Sequence, residues 1–156
     1  MIKFLKIYLI LLLVILITGC SYKPILSKQS YDFSIEKVEL NGDKEVNYII
    51  KEHLINLKNQ NTKNKYYVQI ETSKIKNIIS NDSKGDPSKL EIIISSTFQI
   101  SNSEKLLITR NVKMKNIYNN NSDKLKLKKY ELFIINNLSQ KISDSLISTI
   151  VNINDN

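Results

Sequence analysis

"KLEIIISSTFQIS", residues 89–101, alternates apolar and polar side chains. Leu90, Ile92, Ile94, Phe98 and Ile100 share one face, with Ser96 among them. A period of two is that of a strand with one face on a core and the other in water. "EKLLITRNVKMKNIY", 104–118, repeats the pattern through Leu106, Ile108, Val112 and Met114. Two such runs joined by a few polar residues form a hairpin. The apolar faces set its register. A three-residue loop, 102–104, puts Ile100 opposite Leu106, Phe98 opposite Ile108, Ile94 opposite Val112 and Ile92 opposite Met114. A slip of one residue would turn every side chain to the other face. The same register sets Ser96 opposite Arg110 on the apolar side, and Glu91 opposite Lys115 on the outer side.

The neighbouring segments extend this hairpin. "SNDSKGDPS", 80–88, is turn chemistry throughout. Before it, "YYVQIETSKIKNII", 66–79, opens as a strand with Tyr66, Val68, Ile70 and Thr72 on one face. "KEVNYIIKEHLINLK", 44–58, has Val46, Ile49, Ile50, Leu54 and Leu57 at helical spacing, with Asp43 placed to cap it. "YDFSIEKVEL", 31–40, reads as a strand, and "NGD", 41–43, as a turn. Downstream, "NNNSD" at 119–123 is a loop, and 125–151 is a long amphipathic helix. Its stripe is Leu127, Tyr130, Ile134, Leu138, Ile142, Leu146 and Ile150, broadened by Phe133 and Ile135. Residues 152–156 read as a disordered tail. The order β-α-β-β-β-α predicts an α+β domain over 31–151: a four-stranded sheet with two helices packed on one face.

The first 30 residues belong to something else. Lys3 and Lys6 precede an uncharged apolar run, 7–17, and Thr18-Gly19 lead into Cys20, the only cysteine. A basic start, a short apolar run and small residues before a cut make an export signal. The run falls short of the about 20 residues that span a bilayer. "ITGC", 17–20, resembles the lipobox of bacterial lipoproteins, which implies cleavage after Gly19 and a lipid thioether on Cys20. Ser21 rather than Asp follows, and lipoprotein sorting rules then imply the outer membrane. Residues 1–19 are the signal and 20–30 a lipidated tether. Each acyl methylene buried in a bilayer adds roughly 0.8 kcal/mol, and two or more chains anchor firmly.

The chain carries +8 formally, and loss of Lys3 and Lys6 with the signal takes this to +6. Export argues against nucleic acid as the partner and leaves anionic lipid or glycolipid. Alanine is absent and Arg110 is the only arginine in a Lys- and Asn-rich chain. Such a bias makes much of the lysine excess a solvated surface and singles out Arg110. Catalytic groups are not in evidence. His53 is the one histidine and lies on the helix stripe. Gly19, Gly42 and Gly85 are too far apart for a phosphate loop, and the acids are scattered. No enzyme, metal or cofactor is expected beyond the lipid on Cys20.

"CSYKPIL", 20–26, is similar to the Cys-Gly-Phe/Tyr-x-Pro-Leu start of the LptE family, the lipopolysaccharide-assembly lipoproteins. The element order matches as well. So does 109–146, where an Arg-bearing strand ends in Tyr118-Asn119 and a Ser122-Asp123 loop opens a helix containing "NLSQKISDSL". Ser21 stands where the family has Gly, and Ser, Asn and Lys stand where its last helix is Ala-rich. The resemblance implies a plug inside the lumen of an LptD-type outer-membrane barrel. It implies help in barrel assembly and contact with lipopolysaccharide in transit. The basic residues it offers to lipopolysaccharide phosphates are Lys105, Arg110, Lys113 and Lys115. Arg110, on the apolar face, could instead pair with a helix acid such as Glu52 or Glu131. Other readings are a general envelope-assembly or peptidoglycan-associated lipoprotein, and a small ligand-binding lipoprotein or hydrolase.

Overall fold

The computed structural model describes residues 31–57, 62–103 and 105–154. The expected signal, Cys20 and the expected tether lie outside them. Four strands and two helices follow in order: β1 (Phe33–Gly42), α1 (Lys44–Leu54), β2 (Asn64–Asn81), β3 (Pro87–Ser101), β4 (Leu106–Asn119) and α2 (Lys124–Asn154). A single 3-10 turn, Ile55–Leu57, ends α1. The sheet order is β1-β2-β3-β4. β1 runs parallel to β2, and a parallel pair needs a crossover, which α1 supplies. β2, β3 and β4 form an antiparallel meander.

The β1–α1 junction shows why the chain turns there. Gly42 sits at φ 98°, and a Cβ on it would overlap the Thr72 carbonyl of the paired strand. Only glycine allows that approach at that φ. Asp43 N donates to the Thr72 carbonyl at 3.2 Å. The Asp43 carboxylate then accepts from Glu45 N at 3.1 Å and Val46 N at 3.0 Å, closing the first turn of α1.

The core is what the alternation predicts. Ile92, Ile94, Phe98 and Ile100 from β3 meet Val68 and Ile70 from β2, Val46 and Ile50 from α1, and Ile142, Leu146 and Ile150 from α2. Truncating a fully buried side chain such as Phe98 costs about 3–5 kcal/mol. The far parts of β2 and β3 extend past the end of α1. There Lys74 and Lys76 replace apolar residues on the inner face.

The faces of the hairpin are as predicted from Ile108 to Met114, but its register is not, and Leu106, expected inward, lies 57% exposed on the uncovered side beside Tyr67 and Gln99. Ile100 pairs with Ile108, Phe98 with Arg110, Ser96 with Val112, Ile94 with Met114 and Ile92 with Asn116. The predicted partners, Leu106 for Ile100, Ile108 for Phe98, Val112 for Ile94 and Met114 for Ile92, are each displaced by two. Glu91 likewise faces Ile117, not Lys115. Two causes combine. The loop takes in Lys105, whose carbonyl accepts from Asn102 N at 3.1 Å, and a bulge separates Ile100 from Ser101. A shift of two keeps every side chain on its face, so periodicity alone could not exclude it.

Two further differences concern α2. It continues to Asn154, past the predicted end at 151. Tyr130 and Phe133 lie outside the buried stripe, at 49% and 61% exposure, with their rings stacked 6.3 Å apart. The helix buries Leu127, Ile134, Ile135, Leu138, Ile142, Leu146, Ile147 and Ile150 instead.

Candidate functional site

The open face of the sheet, which no helix covers, is polar along most of its length. Gln69, Glu71 and Ser73 of β2 pair across to Gln99, Thr97 and Ser95 of β3, and these to Thr109, Asn111 and Lys113 of β4. Thr97 donates to Asn111 at 2.8 Å. A shallow trough of about 480 Å³ lies over Glu71, Ser95, Thr97, Asn111 and Lys113.

The four basic residues singled out in the sequence do not form one site. Lys113 and Lys115 stand on the open face, two residues apart on β4. Lys105 lies in the hairpin loop, about 30 Å from Lys115 at a strand's rise per residue. Arg110 points to the other side of the sheet, where its Nη1 donates to the Thr149 hydroxyl at 2.8 Å. The pairing with Glu52 or Glu131 is therefore corrected: Glu131 is held by Lys76 and Tyr118, and Glu52 is exposed. The Thr149 hydroxyl donates to the Ser145 carbonyl at 2.7 Å, which leaves its oxygen to accept from Arg110. Arg110 thus fastens the edge strand to the last turns of α2.

A second concave region was not read from the sequence. On the helix side, at the start of α1, a trough of about 280 Å³ is floored by Ile92 and Ile135 and edged by Glu45, Lys74, Lys76, Lys128, Glu131 and Leu132. Lys74 binds Glu45 at 2.5 Å and Asp43 at 3.3 Å. Burial works to lower its pKa, but these carboxylates outweigh it and the ammonium pKa is raised. Lys76 binds Glu131 at 2.5 Å, and the Tyr118 hydroxyl donates to the same carboxylate at 2.7 Å. Burial pushes Glu131 up, but the Lys76 and Tyr118 hydrogen bonds prevail and hold its carboxyl below the usual range. Burial, and then the bond to Glu131, push the Tyr118 phenol well above its ordinary value. The floor is apolar and the rim mixed in charge, with Lys74 and Lys76 paired to Glu45 and Glu131 and Lys128 beside them. The sequence signal was Lys74 and Lys76 breaking the inner-face alternation, and Glu131 beside an apolar stripe.

His53 of α1 joins Asp144 of α2 at 3.0 Å, on the edge of the core. No group of three His, Cys, Asp or Glu residues disposed to hold a metal occurs among the described residues.

The architecture has solved counterparts. Rare lipoprotein B from Shewanella oneidensis aligns over 76% of this chain and 99% of its own, with 18% identity and a TM-score of 0.54. Lipoprotein B from Nitrosomonas europaea aligns over 83% and 92%, with 10% identity and a TM-score of 0.60. The chain shares its fold with bacterial lipoproteins. A minor lipoprotein from Acinetobacter baumannii adds a third case, at 14% identity, 73% and 92% coverage and a TM-score of 0.51. No family model matches the chain, and no curated protein matches it in sequence. At these identities the likeness is one of fold.

Proposed function

We propose that the chain is a lipoprotein anchored through Cys20 in the outer membrane, where it partners an LptD-type barrel and takes part in lipopolysaccharide transport. The observation that carries this reading is the lipobox at 17–20 set directly before a domain with the fold of bacterial lipoproteins. The resemblance of "CSYKPIL" and of 109–146 to the LptE family narrows it to that partner. The open face supports the same reading. A domain lodged in a barrel meets a polar lumen, and the rows from Gln69 to Thr109 and from Ser73 to Lys113 are polar. The role is one of binding and assembly, with no catalytic step.

Lipopolysaccharide presents phosphates beside acyl chains. Lys113 and Lys115 on the open face suit phosphate, and the trough over Ile92 and Ile135 suits an amphiphile with its anionic group at Lys128. Lys105 is too distant to share one headgroup with them. Arg110 takes a fastening role through Thr149.

The test is affinity isolation of the tagged, full-length protein from native outer membrane, followed by mass spectrometry. A stoichiometric barrel of LptD type is the expected companion. Recovery of the lipoprotein alone, or with peptidoglycan or another barrel-assembly machine, would support the alternative, a general envelope lipoprotein. In the purified complex, Lys113→Glu with Lys115→Glu should weaken retention of lipopolysaccharide severalfold, whereas Arg110→Ala should leave it within about twofold.

A further inference from the structure

The open sheet face changes character at its far end. Across β2, β3 and β4 one row there reads Asn77, Glu91, Ile117 and the next Ile75, Ile93, Lys115. Opposed residues in antiparallel pairs share a face, so all six lie on the uncovered side. Ile75 and Ile117 are 51% and 52% exposed, whereas Glu91 at their centre is 7% exposed. A carboxylate hidden on a face without a helix is unusual, because burial demands that its oxygens be bonded.

Glu91 is poorly served. Asn77 Nδ2 reaches one oxygen at 3.5 Å, and Lys115 Nζ stands 3.8 Å from the other. Charge-assisted bonds to a carboxylate run at about 2.7–2.9 Å. Both contacts lie beyond that, and Lys115 is 66% exposed, so its attraction is screened. An acceptor with unmet capacity, flanked by Ile75, Ile93 and Ile117, has features of an interface hot spot: a charged anchor among apolar side chains.

Charge selects the occupant. A second copy whose two-fold axis passes through Glu91 would set Glu91 against Glu91, which like charges oppose. An anionic lipid would meet the same carboxylate. An arginine fits, since its planar fork can bond both oxygens while its faces lie on the isoleucine side chains. We propose that Ile75, Glu91, Ile93 and Ile117 form a docking surface for a protein partner that inserts one arginine, set among apolar residues, onto Glu91.

The experiment places the photocrosslinker p-benzoylphenylalanine at Ile117 of the full-length lipoprotein in its own cells. Ultraviolet adducts are identified by peptide mass spectrometry. The expected result is one protein adduct whose crosslinked peptide carries an arginine, with a yield at least about tenfold lower in Glu91→Gln. Glu91→Gln keeps the shape of the side chain, and an unchanged thermal midpoint shows that the fold is intact. Ile75→Ser, at an exposed position, should lower the yield as well. Glu91→Arg, combined with Arg→Glu in the partner, should restore it. An adduct with a second copy, an adduct with lipid, an undiminished yield in Glu91→Gln, or no adduct would each overturn the proposal. A partner that is not an LptD-type barrel would leave this surface standing and count against the barrel reading.

Discussion

Single residues decide the two junctions where the helix side of the sheet is built. At Gly42, substitution by alanine forces a Cβ into the Thr72 carbonyl at a φ that L side chains avoid. Such strain costs about 1–3 kcal/mol, and the overlap adds to it. Urea denaturation of Gly42→Ala should show a lower midpoint with an unchanged slope, and Gly85→Ala should lose less. Gly85 also has positive φ but no atom near its missing Cβ. Glu131 gives the pH dependence. Its folded pKa is depressed, so its contribution to stability is complete above the unfolded value of about 4.3. That contribution fades as pH falls through the lower folded value. Tyr118 acts at the other end: its raised pKa adds stability that is present below about 10 and lost as pH rises further. Melting curves from pH 2 to 7 should show an acid loss that Glu131→Gln makes shallower. An identical acid limb in that variant would discard the Lys76–Glu131–Tyr118 cluster as its source.

Elements show how far local pattern reaches. Alternation in 89–101 and 108–118 placed each side chain on its proper face, but the bulge turns Leu106 to the other one. Alternation could not separate registers that differ by two, since those differ only in loop length and in the bulge after Ile100. The turn chemistry of Asn102, whose side chain accepts from Lys105 N at 2.9 Å, was the missing signal. Tyr130 and Phe133 were misplaced for a related reason. Their spacing matches a stripe, but there the helix turns Leu127, Ile134, Ile135 and Leu138 to the core instead. The candidate trough was illegible because its residues come from α1, β2, β3 and α2, and only tertiary structure brings them together. Capping gives the prediction at this scale. Asp123 caps α2, accepting from Leu125 N at 3.0 Å and Lys126 N at 3.1 Å. Asp43 caps α1 and also holds Lys74. Asp123→Ala should cost about 1 kcal/mol and Asp43→Ala about 2, since the second also strips a partner from a half-buried ammonium. Equal losses in chemical denaturation would show that Lys74 gains nothing from Asp43.

For the whole molecule, the proposed export signal and the folded domain lie in different parts of the chain. Among the described residues, every buried apolar residue falls between Phe33 and Ile150. A domain with its own core folds alone, so residues 31–156, produced without signal or tether, should melt cooperatively and within a few degrees of the full mature protein. The same fragment, and full-length Cys20→Ser, should leave the membrane fraction, because the anchor would be acyl chains on Cys20 and not the folded domain. Stability within the domain should also be uneven. α1 covers only the part of the sheet where β1 pairs with β2, and beyond it the hairpin ends near Ser80 and Ser88 are held by strand pairing and by polar contacts such as Ser80–Ser88 and Asn120–Pro87. Amides of 64–72 and 92–100 should therefore exchange slowest, and those of 76–81 and 87–90 faster by an order of magnitude or more. Binding of a partner to the Glu91 surface would slow exchange at 75–77 and 91–93 and leave 64–72 as it was, a pattern that general stabilisation of the fold cannot produce. Uniform slowing along the hairpin would instead place the partner elsewhere on the domain.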